Sequence, residues 1–223
     1  MLDRRRFFSY IPAATVTLVS MISGAHTIAM AQGSPAVGSI ENLMRGHGLL
    51  SRAMIIYDVV RGRLSKEQET EPSIILKTTA VIHNYLQGFH ENMEERYIFK
   101  PMEKANIQFS SIQELKIQHG TAQELTRRIT HLAETGKLGS ELTNYLDAFV
   151  HMYRYHAAWE DTVLFPAFDA MEKKSELSEL AATFEIEEKN ILGDTGFESF
   201  VRDIASVEKQ LGIYDLPTWT AKL

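Results

Sequence analysis

Histidine and glutamate recur in this sequence at a spacing that suits metal binding. His90 is followed four residues later by Glu94, and His156 is followed four residues later by Glu160. Residues i and i+4 lie on one face of a helix, so each pair would offer an imidazole and a carboxylate to the same point. Ionised glutamates on an inward helix face cost several kcal/mol each unless a cation neutralises them. The two pairs therefore predict a metal site.

Both pairs belong to a ten-residue repeat. Residues 90–99 read HENMEERYIF and residues 156–165 read HAAWEDTVLF, so both fit H-x-x-x-E-[ED]-x-x-[IL]-F. Each repeat is preceded by a histidine that comes directly before a glycine, His47 in the first half and His119 in the second. The chain therefore has two similar halves, each with an H-G segment and an H-x-x-x-E segment. We expect the four histidines to converge.

Three further side chains could complete the donor set. Glu91 and Asp161 directly follow members of the two pairs, and Gln123 lies four residues after the H-G histidine of the second half. A carboxylate is a good metal ligand, whereas the amide of Gln123 is a weak one. Glu160 and Asp161 point in adjacent directions on a helix, so the sequence leaves open which of them binds.

The amino-acid composition excludes several kinds of metal site and binding partner. The chain has no cysteine, which excludes disulfides, cysteine-ligated iron–sulfur clusters and cysteine-ligated zinc. Imidazole and carboxylate donors suit iron, with manganese and zinc as alternatives. Acidic residues outnumber basic ones, 29 against 23, and the formal net charge is −6. Because phosphate binding needs clustered lysine and arginine, we expect no nucleic-acid partner.

Four segments with helical periodicity position these side chains. Apolar residues recur every three or four positions around each histidine, which is typical of a helix with one buried face. The second and fourth segments are expected to end near Pro101 and Pro166. The pattern predicts an all-α protein, with an antiparallel up-down four-helix bundle over residues 39–170. Residues 171–223 are predicted to form a short helical extension that packs on the bundle.

The N-terminal segment differs in character from the rest of the chain. An arginine triplet at residues 4–6 precedes an apolar stretch that ends in small residues around Ala31. This order is typical of an export signal, and the arginines resemble a twin-arginine signal. We expect cleavage of residues 1–31, a linker over residues 32–38, and a periplasmic or otherwise exported protein with no membrane attachment after cleavage. The alternative is an uncleaved N-terminal membrane anchor.

The order H … H-x-x-x-E … H … H-x-x-x-E between His47 and Pro166 resembles the hemerythrin-like (HHE cation-binding) proteins. The resemblance implies a non-haem di-iron centre in which two glutamates bridge the ions and each ion takes two imidazoles. The ligand set that it implies is His47, His90, Glu94, His119, His156 and Glu160.

The resemblance also implies a function, which is the binding or sensing of a small diatomic molecule, O2 or nitric oxide. Oxygen-carrying members usually have a fifth histidine where this chain has Gln123. The four-histidine, two-glutamate set also resembles di-iron proteins that repair iron centres, although those normally carry a cysteine-bearing segment. The alternative is therefore a redox enzyme or an iron-handling protein that uses the same centre on peroxide, nitric oxide or ferrous iron. No protein partner is predicted.

Overall fold

Helices make up most of the chain that the computed structural model describes, which is residues 37–194 and 196–221. No strand occurs within these two ranges, so the predicted all-α class is confirmed for them. None of the described helices is long and apolar enough to cross a membrane. The predicted export signal, and residues 32–36 of the predicted linker, lie outside the described residues.

Six helices follow one another along the described residues, and the first four carry the histidines of the repeats. They are α1 (Ser39–Leu64), α2 (residues 72–104), α3 (Phe109–Glu134), α4 (residues 140–171), α5 (Lys174–Leu192) and α6 (Gly196–Leu211). A 3₁₀ turn at Leu216–Trp219 comes after them.

The two helices that carry H-x-x-x-E change from α to π geometry at the glutamate. The π-helical stretches are Ile82–His90 and Glu94–Phe99 in α2 and Glu160–Leu164 in α4. The rest of both helices is α-helical. The α-helical stretches are Pro72–Val81, Glu91–Met93 and Lys100–Lys104 in α2, and Ser140–Trp159 and Phe165–Met171 in α4. Single π turns inside helices occur frequently at functional sites.

The prediction that α4 ends at Pro166 is wrong, and α2 likewise continues past Pro101. Each proline lies in the first turn of the α stretch that follows a π turn. The proline ring fixes φ at about −65°, which suits the helical backbone at the start of an α stretch. The helices therefore continue to Lys104 and Met171.

The apolar faces of the first four helices enclose one core. α1 packs on α4, α4 on α3, α3 on α2, and α2 on α1, which closes a ring of contacts. The largest fully buried side chains within it are aromatic, and they include Tyr57, Tyr85, Phe89, Phe99, Phe149 and Phe165. Burial of apolar surface, at roughly 25 cal/mol per Å², holds this ring of helices together.

The helices α5 and α6 pack on each other and on α1 and α2. Arg52 of α1 donates two hydrogen bonds to the carboxylate of Glu208 in α6, with N–O distances of 2.9 and 2.5 Å. The guanidinium of Arg45 lies 4.5 Å from the ring centroid of Phe197. The C-terminal pair thus covers the first helix pair, and its buried apolar side chains join the same core.

Candidate metal centre

The six side chains of the implied ligand set lie together in the core. All are buried, and they form two groups whose donor atoms lie within 4.8 Å of one another. The first group is His47, His90 and Glu94; the second is Glu94, His119, His156 and Glu160. Every helix of the ring contributes one histidine to these groups. On each helix, that histidine lies in the apolar stripe that faces the core.

Glu94 faces both groups. Its Oε1 lies 3.0 Å from His90 Nε2 and 3.7 Å from His47 Nε2. Its Oε2 lies 3.6 Å from His119 Nε2. The two oxygens of one carboxylate therefore point to different histidine pairs, which is the arrangement that a bridging ligand needs.

Glu160 also contacts histidines of both groups. Its Oε2 lies 3.0 Å from His156 Nε2 and 3.2 Å from His47 Nε2. The Nε2 atoms of His119 and His156 are 3.2 Å apart. Donor atoms that bind one ion at about 2.1 Å and at right angles lie about 3 Å apart. These spacings suit donors that share ions.

Six buried polar atoms of the site have no hydrogen-bond partner within the described part of the chain. They are both carboxylate oxygens of Glu94, both of Glu160 and both ring nitrogens of His90. Both glutamates are 0% exposed, so water cannot satisfy them from the surface. Orphaned acceptors in this setting are explained by cations. Imidazole and carboxylate donors fit a pair of iron, manganese or zinc ions.

The electrostatics of the site favour ionised glutamates. Burial alone would raise the pKa of Glu94, but the nearby charges of His90 and His47 hold that pKa well below its usual value. Burial lowers the pKa of His119, yet the hydrogen bond to Glu95 and the nearby carboxylates raise it to about 9. Without a metal His119 therefore binds a proton readily, and a binding metal ion must displace it.

The family described as the hemerythrin HHE cation binding domain matches residues 39–168 and, in a second match, residues 110–211. The chain belongs to this hemerythrin family. The two matches overlap over α3 and α4, as expected of a chain built from similar helix pairs. The second match begins in α3 and extends through α5 and α6.

Three curated relatives share the same degree of similarity with this hemerythrin-family chain. They are uncharacterized proteins of Mycobacterium bovis and of two strains of Mycobacterium tuberculosis. Each is 34% identical over 187 residues, which cover 81% of this chain and 72% of the relative. No solved structure matches the chain.

In this hemerythrin-family chain, each H-G histidine is held by the acidic residue that follows the glutamate of the opposite half. His47 Nδ1 lies 2.7 Å from Asp161 Oδ1, and His119 Nδ1 lies 2.9 Å from Glu95 Oε1. A carboxylate on the outer ring nitrogen fixes the tautomer and turns Nε2 toward the site. Of the two alternatives in the second repeat, the structure therefore places Glu160 among the donors and Asp161 behind His47.

The phenylalanine that ends each repeat stacks on the same histidines. Phe165 lies on His47 with a centroid distance of 5.7 Å and an interplanar angle of 9°. Phe99 lies on His119 at 5.7 Å and 14°. The repeat in the sequence includes this phenylalanine but does not indicate its role. Each ten-residue repeat thus supplies an imidazole and a shared carboxylate to the donor groups. It also supplies an outer carboxylate and a stacking ring to the H-G histidine of the other half.

The histidines of the H-x-x-x-E repeats are held in two different ways. His156 Nδ1 lies 2.9 Å from the amide oxygen of Gln118. The equivalent atom of His90 has no partner among the residues described, and its ring lies against Gly46 of α1. A Cβ at that glycine would clash with the imidazole.

The remaining candidates, Glu91 and Gln123, lie beside the donor groups and not in them. Glu91 is 4% exposed and accepts a short hydrogen bond from the Tyr153 hydroxyl. Gln123 Nε2 lies 3.5 Å from Glu91 Oε2. Tyr153 was not among the predicted site residues. Its sequence signal is its place three residues before His156, which puts both on one helix face.

Proposed function

We propose that this protein is an exported non-haem di-iron protein that binds or senses O2 or nitric oxide. In this proposal the four histidine-bearing helices form an antiparallel up-down bundle. The observation that carries the proposal is the set of buried polar atoms on Glu94, Glu160 and His90 that have no hydrogen-bond partner among the described residues. Membership of a cation-binding family supports it independently.

The chain's own residues would hold two ions at fixed positions. His47 and His90 would bind one ion, His119 and His156 the other, and Glu94 and Glu160 would offset part of their charge. A pair of iron ions, when bound, supplies redox-active centres that a diatomic molecule can bind. The stacked phenylalanines would shield the two H-G histidines from water. A carboxylate on the outer nitrogen would keep the ring proton at Nδ1, which leaves the Nε2 lone pair of the neutral imidazole for an ion.

A redox or iron-handling role is the alternative that uses the same centre. It is favoured by Gln123, which is exposed and lies outside both donor groups. A chain with histidine at that place would have one more strong nitrogen donor. A centre with fewer strong donors suits turnover of peroxide or nitric oxide, or the release of iron.

The decisive experiment measures iron content and the visible absorption spectrum. Purified protein is loaded anaerobically with iron(II), exposed to O2 and then returned to vacuum. We expect two iron ions per chain and an absorption band that appears with O2 and disappears when O2 is removed. Irreversible oxidation with two bound iron ions would favour the redox alternative. Failure to bind iron, with manganese or zinc bound instead, would contradict the iron assignment.

Export is a separate part of the proposal with its own test. The protein expressed with its N-terminal segment is recovered from the periplasm or medium, and the mass of the intact chain is measured. We expect a chain that begins at residue 32. A full-length chain that stays with the membrane fraction would favour the membrane-anchor alternative.

A further inference from the structure

Glu91 is a third carboxylate next to the metal centre. It directly follows His90 in α2 and is 4% exposed. The charges of His119, Glu94 and His90 all act on it, which shows how near it lies to the donors. Its oxygens nevertheless belong to neither of the two donor groups found among the described residues.

The Tyr153 hydroxyl occupies one oxygen of Glu91, since it donates a short hydrogen bond to Oε1. Tyr153 is 2% exposed, and packing fixes its ring on two sides. Its centroid lies 5.1 Å from that of His156 at an interplanar angle of 76°, and 4.7 Å from that of Phe149. A ring held in this way gives the hydroxyl a fixed position, so α4 determines where the carboxylate of α2 points.

The second oxygen of Glu91 faces the side chain of Gln123. The distance from Gln123 Nε2 to Glu91 Oε2 is 3.5 Å. Gln123 lines a groove of about 1280 Å³ to which α2, α3, α5 and α6 contribute. Both oxygens of Glu91 therefore have partners outside the donor groups, whereas those of Glu94 and Glu160 have none among the described residues.

The tyrosine–glutamate hydrogen bond is not part of the pattern that the two halves share. The position equivalent to Glu91 in the second half is Ala157, and the position equivalent to Tyr153 in the first half is Gln87. Gln87 donates instead to Thr126 Oγ1 at 2.9 Å. The tyrosine–glutamate pair is thus confined to one side of an otherwise repeated centre.

We propose that Tyr153 is a positioning residue that holds Glu91 off the metal ions, so that the centre has two carboxylate ligands instead of three. The inference rests on the proposed function, because it concerns a carboxylate beside bound iron. While Tyr153 holds Glu91, a small anion or diatomic molecule can bind at the ions without competing with it. When the bond is removed, Glu91 is free to join the donors and to compete.

The test replaces Tyr153 by phenylalanine in the full chain and uses azide as the probe. The iron-loaded, oxidised protein is titrated with azide in the visible range, and iron loss to a chelator is timed. We expect azide to bind about tenfold more weakly in Tyr153→Phe, the size of one hydrogen bond to a charged group. We also expect iron to be lost more slowly, because a third carboxylate helps to retain it.

Tyr57→Phe is the matched control. Tyr57 is 0% exposed, its ring lies 5.4 Å from the same Phe149, and its hydroxyl has no partner in the described ranges. This variant removes a buried hydroxyl from the same core without touching Glu91. We expect its azide affinity and iron retention to match those of the wild type.

A double variant separates a positioning role from a merely structural one. Adding Glu91→Gln to Tyr153→Phe replaces the competing carboxylate by a weak amide ligand, so we expect azide affinity to return to the wild-type value. If Tyr153→Phe behaves like Tyr57→Phe while the wild type binds two iron ions and azide, the inference is wrong and the proposed function stands. A wild-type protein that binds no iron overturns both.

Discussion

The two halves of the candidate metal centre, α1–α2 and α3–α4, share most of their architecture but orient one histidine differently. In both halves an acidic residue and a phenylalanine cross over to hold the H-G histidine of the other half. In the second half, Gln118 holds His156 through a hydrogen bond. At the equivalent position of the first half stands Gly46, against which the ring of His90 packs directly.

The difference shows that an imidazole can be oriented either by a hydrogen bond or by close packing. Glycine inside a helix costs about 1 kcal/mol relative to alanine, so Gly46 in the middle of α1 needs a reason. The reason is the ring of His90, which leaves no room for a Cβ. A hydrogen bond tolerates small shifts of its partner, whereas a packed ring does not.

The packed side of the centre also depends on the C-terminal helix pair. Tyr85 lies 6.3 Å from His90, measured between ring centroids. Phe197 and Phe200 of α6 lie 5.2 and 5.5 Å from Tyr85. The helix pair that has no histidine therefore supports, through Tyr85, the one candidate ligand histidine that no hydrogen bond holds within the described chain.

The largest effect is expected from Glu94→Ala, which breaks both halves at once. Glu94 faces histidines of both groups, so its loss removes a donor from each ion. We expect less than one iron ion per chain, and a loss of the stabilisation that metal binding gives to the folded state. Iron analysis and thermal unfolding with and without iron measure both quantities. Full iron content in this variant would contradict the ligand assignment.

Gly46→Ala should break the first half alone. The added methyl group forces the His90 ring away, and overpacking of this kind costs about 1–3 kcal/mol. We expect the loss of about one iron ion per chain, measured by iron analysis, and a lower free energy of unfolding.

Gly48→Ala is the control, since a Cβ there meets nothing within 4 Å. That change should stabilise the protein by up to about 1 kcal/mol. Equal effects of the two substitutions would contradict the packing role of Gly46.

Both halves have a carboxylate on the outer nitrogen of the H-G histidine, so its removal should affect metal affinity equally on the two sides. Asp161→Asn and Glu95→Gln each remove a carboxylate from the outer nitrogen of an H-G histidine while keeping the side-chain volume. Loss of such a partner typically lowers metal affinity by about 10–100-fold. We expect this range for both variants in a chelator competition assay. A large effect of only one of them would show that the halves differ here too.

The smallest effect is expected from Gln118→Ala. It removes a neutral hydrogen bond from His156, which is worth about 1 kcal/mol, or up to about tenfold in metal affinity. The same chelator competition measures it, with Gln113→Ala as a control on an exposed part of α3. An effect as large as that of Gly46→Ala would mean that His156 has no other support.

Much of the fold and of the donor set was predictable because it depends on local periodicity. The i, i+4 spacing places His90 with Glu94, and the apolar stripe around them turns both inward. The passage of α4 through Pro166 was not predictable in this way. A proline inside a helical pattern normally ends or kinks the helix, and only the π turn before it lets the helix continue.

What the sequence by itself determined is the all-α class, the doubled histidine–glutamate pattern and, through it, the resemblance to the hemerythrin family. These follow from spacings along one helix, which neighbouring residues set. Only the tertiary structure decided that Asp161 stands behind His47, that Phe165 stacks on it and that Tyr153 holds Glu91. Those contacts join different helices, so they depend on how closely the helices approach and how they are rotated, which no spacing within one helix records.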